Sequence, residues 1–91
     1  MASKRQFTTE DARRIGGALG IDFAEIRIDE FRAGLGVELE HGARDPDTNI
    51  TNDDELLTGK IAHAHLREFP DYYTRLAELE KDANAFWAKK Q

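Results

Sequence analysis

The chain has 91 residues, 40% of them apolar and 34% charged, with a formal net charge of −5 and no cysteine. That length suits one small domain, and the lack of thiols excludes disulfides, thiolate nucleophiles and thiolate metal sites. The acidic balance argues against a nucleic-acid partner, which needs a cationic surface, and no apolar run approaches the roughly twenty residues that span a bilayer.

In chain order, the first six residues (MASKRQ) include basic Lys4 and Arg5, lack the apolar run of a signal peptide and read as a flexible basic terminus. Thr8 with Asp11 three residues on spells a capping box, and Phe7 stands where a hydrophobic staple belongs. Ala12, Ile15 and Leu19 then trace an apolar stripe, and Gly20 ends the helix with Ile21 folding back on it. Gly16 and Gly17 weaken this helix, which suggests a close packing contact. Asp22 and Glu25 mark a single turn over Phe23 to Ile26. Ile28 and Asp29 look like the staple and cap of a second helix, with Phe31, Leu35 and Leu39 on its apolar face and Gly42 as its end.

A third helix is expected from Thr51 to Asp54 onward, with Leu57, Ile61, Ala64, His65 and Glu68 on one face and Leu66 and Phe69 on an adjoining one. Pro70 separates it from a fourth helix over about Asp71 to Lys89. There Tyr72, Leu76, Leu79, Ala83 and Phe86 follow 4, 3, 4, 3 spacing, the seam of a packed helix, widened by Tyr73, Ala77 and Trp87. No segment alternates with period two for long enough to make a strand. The expected fold is therefore a compact, all-α, four-helix domain with short connecting turns and one long polar loop, ordered over residues 7–90.

That loop, HGARDPDTNITNDDE, invites a calcium reading. Asp45, Asp47, Asn49 and Asp53 fall on the first, third, fifth and ninth positions of an EF-hand loop. The match breaks at the sixth position, where Ile50 replaces the turn glycine. It breaks again at the twelfth, where Leu56 replaces the bidentate glutamate. A helix joint explains the same residues: Asp45-Pro46-Asp47 favours a turn, Thr51 or Asn52 caps the third helix, and Asp53, Asp54 and Glu55 meet the positive end of its dipole.

Polar side chains on otherwise apolar faces are the better candidates. Glu38 and His41 form one i, i+3 pair on the second helix, and His65 and Glu68 another on the third, while His63 points away. Carboxylate and imidazole at this spacing can hold iron or manganese in a bundle, or zinc. Simple antiparallel pairing, however, sets the two pairs roughly 12 Å apart along the helices, so the metal reading calls for a shifted register or a dimer. Otherwise the four residues satisfy polar groups inside a small bundle. The glycine-turn pattern from Ile15 to Ile26 has the shape of half a helix-turn-helix, but its second helix carries Asp22, Glu25, Asp29 and Glu30, the wrong charge for phosphates.

FTTEDARRIGGALGID, FRAGLGVELEHGARDPDTNITNDD and TGKIAHAHLREFPDYYTRL together resemble a family of small bacterial and phage proteins that is catalogued as a domain of unknown function. The likeness runs from Phe7 to about Glu80 and implies one domain and no particular activity. The Glu-x-x-His element is also similar to encapsulated-ferritin half-bundles, which complete a di-iron site by dimerising, although their further glutamate pattern is not matched here. The expected function is that of a cytoplasmic, non-enzymatic accessory protein acting by protein binding or self-assembly, with no cofactor. The alternative is a helical protein holding iron, manganese or zinc at Glu38, His41, His65 and Glu68, the site completed by a homodimer.

Overall fold

The computed structural model describes residues 6–44, 46, 47, 49 and 54–89, with the side chains of 41–44 excepted. Among the described residues four helices form: α1 (Thr9–Leu19), α2 (Ile28–Arg44), α3 (Glu55–Glu68) and α4 (Tyr72–Ala88). There is no strand among the described residues.

The local signals at α1 act as their chemistry dictates. Thr8 Oγ1 accepts from Asp11 N at 3.0 Å, and Thr8 N donates to Asp11 Oδ2 at 2.9 Å. Gly20 adopts the left-handed conformation at φ 73°, which costs a residue without Cβ nothing. Ile21 N then donates back to Gly16 O at 2.9 Å and the side chain is buried. The turn after it is closed by Asp22, which takes Ala24 N on its carboxylate and Glu25 N and Ile26 N on its carbonyl.

Boundaries shift where two signals compete. Gly42 lies inside α2, which runs on to Arg44; an interior glycine costs only about 1 kcal/mol, and the sequence does not oppose a helix until Pro46. The cap of α3 is Asp54, whose carboxylate accepts from Leu56 N and Leu57 N, rather than Thr51 or Asn52. Most of the polar joint between α2 and α3, including the calcium-like positions Asp45, Ile50 and Asp53, lies outside the described residues.

The core is built around α2, which packs against each of the other three helices. Phe31, Leu35, Ile15 and Thr58 are fully enclosed, with Ala12, Ala62, Leu66 and Tyr73 around them. The buried face of α3 is Thr58, Gly59, Ala62 and Leu66. This corrects the expected face of Leu57, Ile61, Ala64, His65 and Glu68: Ile61 and His65 are partly buried, but Leu57 is 44% exposed, and Ala64 and Glu68 are exposed too. Small residues decide the choice, because a Cβ on Gly59 would stand 2.8 Å from Ile15 Cγ2 and 2.9 Å from Leu19 Cδ1. Close approach there gains more contact than turning the larger Leu57 inward.

The fourth helix departs most from the expected seam. Tyr73 is its one buried residue, Tyr72 and Leu76 pack partly against the core, and every residue from Ala77 to Lys89 is exposed. Leu79, Ala83 and Phe86 thus line an exposed stripe, and the second half of α4 stands as an arm on a molecule 45 × 26 × 21 Å in extent.

Candidate functional site

Glu30, Gly34 and Glu38 recur every fourth residue, so they lie in one row on α2. The row is a groove with a carboxylate at each end, and Tyr73 lies along it. At one end Glu30 Oε1 accepts from the backbone N–H of Tyr73 at 3.2 Å and of Thr74 at 3.3 Å, while Thr74 Oγ1 donates to Glu30 Oε2 at 2.6 Å. In the middle the tyrosine ring covers Gly34, where a Cβ would come within 2.8 Å of Tyr73 Cζ. At the other end the phenol donates to Glu38 Oε2 at 2.6 Å.

Glu30 therefore caps α4 from another helix. The first N–H groups of a helix have no intrahelical acceptor, and Asp71, at the N-cap position, makes no side-chain cap bond. A buried carboxylate from α2 satisfies two of them and meets the positive end of the α4 dipole.

His65 closes the Glu38 end. Its Nδ1 is 2.9 Å from Glu38 Oε2 and 3.1 Å from the Tyr73 hydroxyl. The one phenolic proton is given to Glu38, and a carboxylate only accepts, so Nδ1 is the donor in this three-way contact. The imidazole stacks on Tyr72, with centroids 4.3 Å apart and planes within 1° of parallel, and meets Tyr73 edge-on. Among the described residues no hydrogen bond reaches Nε2, and the His65 side chain is 30% exposed against 10% for Glu38. Burial first, and the Glu38 hydrogen bond second, push the Tyr73 phenol well above its ordinary value of 10.0.

Glu38 and His65 thus meet, against the roughly 12 Å offset expected from simple pairing. That offset counts rise along helix axes and omits the reach of two long side chains, as well as the tyrosine that joins them. Glu68 is exposed and outside the network, and the side chain of His41 lies outside the described residues. Among the described residues, no three His, Asp or Glu side chains converge as a metal would need. His63, expected to face solvent, is half-buried in a polar cleft with Asp22, Glu25 and Arg67.

A second feature adjoins the stacked rings. Phe69, Tyr72, Arg75, Leu76 and Leu79 line a shallow, mainly apolar groove of about 340 Å³ at the base of the arm. The Arg75 guanidinium lies 4.4 Å from the Phe69 ring centroid and is held there by Asp71, Nε to Oδ1 at 2.8 Å. Phe69 is 46% exposed, Leu79 62%, Phe86 52% and Trp87 64%.

Fold and site together define a small four-helix protein with a clasped tyrosine at its centre and an uncovered apolar helix face. The chain belongs to the family described as Protein of unknown function (DUF5661), whose model matches residues 12–82. No curated protein and no solved structure matches it.

Proposed function

We propose that this is a non-enzymatic accessory protein of the cytoplasm that works by protein binding or self-assembly through the outer face of α4. The observation that carries the reading is the arm: residues 77–89 are all exposed, yet they present Leu79, which lines the apolar groove, and Phe86 and Trp87 two turns further along the same helix. A helical segment of this length is marginal in water by itself, and large contiguous apolar surface on a small protein marks an interaction site. The Tyr73 clasp supports it, since a base anchored by Glu30 and Glu38 holds the arm at a set angle to the body.

A photo-crosslinking residue placed at Leu79 or Trp87 in the producing cell tests this. Discrete adducts are expected from those positions and not from exposed Lys60 on α3. No adduct, or the same pattern at all three positions, overturns the reading.

A second reading places a divalent iron, manganese or zinc ion at His65, with the further ligands supplied by a second copy of the chain. It is favoured by the Glu38–His65 contact, because an imidazole fixed through Nδ1 on a carboxylate presents Nε2 in the manner of metal-bound histidines. The metal should then raise the melting temperature by mass action, and His65→Gln should abolish the rise while His63→Gln retains it. An unchanged melting temperature in the wild type removes this reading.

A further inference from the structure

We infer that the occupant of the α4 face is the α4 of a second copy of this chain, laid antiparallel so that the tip of each arm seats in the groove at the base of the other. The inference rests on the reading of α4 as a docking face and names its partner. The groove and a side-chain group suited to fill it lie on the same helix: Phe69, Tyr72, Leu76 and Leu79 form the recess, and Phe86 and Trp87 project together at the far end, rings 5.1 Å apart and edge to face. A two-fold axis near Lys81 sets Leu79 opposite the partner copy's Ala83, and Phe86 opposite its Leu76. The same operation makes both contacts twice, which is the self-complementarity an isologous dimer requires.

The recess is ready to receive an aromatic group. Arg75 is already held over the Phe69 ring by Asp71, so an incoming indole gains a cation–π partner with little ordering cost. Area is sufficient as well. The exposed fractions of Phe69, Leu79, Phe86 and Trp87 leave roughly 450 Å² of side chain per copy to be covered. The pair, with Tyr72, Leu76 and the Arg75 stem, then reaches the lower edge of specific interfaces, about 1,200 Å² in total, as suits a reversible dimer. The register also brings Asp82 near its counterpart, so salt is expected to tighten association by screening the pair. A basic partner helix would respond in the opposite sense.

The absence of cysteine makes the geometry directly measurable. Spin labels on Asp82→Cys and, separately, on Lys89→Cys of the full chain report distance between copies. At 1.5 Å per residue, the antiparallel pair sets the two labels at 82 about 3 Å apart along the axis and the two at 89 about 24 Å apart. Short separation at 82 with long separation at 89 is the expected result, and Trp87→Ala should weaken dimerisation at least tenfold with the helical circular dichroism unchanged. Short separations at both positions mean a parallel pair and overturn the inference, as does a single-chain mass at several hundred micromolar. In the crosslinking experiment above, adducts with a different protein and none of twice the chain mass reject the second copy while leaving the docking reading intact.

Discussion

Tyr73 concentrates the consequences at the residue scale. Its phenol is held protonated above the ordinary value of 10.0 by burial and by Glu38. The folded state therefore keeps a proton that the unfolded chain releases, and the associated stability is complete below pH 10 and lost as pH rises beyond it. Tyr73→Phe should cost about 1.5–3 kcal/mol at neutral pH, the worth of a hydrogen bond to a charged group. It should also flatten the alkaline loss seen when melting temperature is followed from about pH 8 to pH 11; equal alkaline slopes in both proteins refute the assignment. Two glycines give a paired test. Gly34→Ala drives a methyl into the Tyr73 ring and should destabilise by about 1–3 kcal/mol. Gly17→Ala meets nothing within 4 Å and should stabilise by about 0.5–1 kcal/mol. Thermal or urea melts giving both substitutions the same sign contradict the packing described.

At the scale of elements, α4 is fastened by a carboxylate belonging to another helix. Glu30→Ala removes the acceptor for Tyr73 N, Thr74 N and the Thr74 hydroxyl. A loss of about 1–3 kcal/mol is expected, chiefly from leaving the buried Tyr73 N–H unpaired. Amide hydrogen exchange should quicken in the first turn of α4 and stay unchanged in α1, whose capping box is self-contained. Uniform acceleration through all four helices contradicts a local cap. The leucines of α2 and α4 separate core from arm in the same way. Leu35 is fully buried and Leu79 is 62% exposed. Leu35→Ala should therefore cost about 2–5 kcal/mol, and Leu79→Ala, measured in dilute protein, within about 0.5 kcal/mol of nothing. A large loss at Leu79 in a single-chain species places that residue in the monomer core after all.

For the whole molecule, the division between a packed body and a bare arm organises the properties. A 91-residue chain has a small core to begin with, and this one leaves the aromatic end of its longest apolar stripe outside it. Stability measured by melting should accordingly depend on protein concentration, rising as copies associate. A concentration-independent melting temperature over a hundredfold range is the outcome that contradicts assembly through α4.

Much of the local structure was legible from the sequence because its causes are local. The Thr8–Asp11 box, the Gly20 stop and the Asp22 turn each act within a few residues, so spacing alone suffices, and the existence of the four helices is legible for the same reason although the buried face of α3 is not. Glu38 and His65 were visible as polar residues on apolar faces for the same reason. Their meeting was not, because it depends on side-chain reach between helices and on a tyrosine that either the core or a surface could have claimed. The cap supplied by Glu30 has a sequence signal, since Glu30-x3-Gly34-x3-Glu38 marks a groove bounded by two acceptors, but that spacing does not say which helix fills the groove. The a/d spacing of α4 marks an apolar face, but not the packed seam it suggests, because the half of that face from Leu79 onward is exposed. Periodicity specifies which face of a helix avoids water. Only the tertiary structure decides what covers it, because the volume of the body is settled by Phe31, Leu35, Gly59 and Leu66 packing together, and the arm extends past the point where that volume is full.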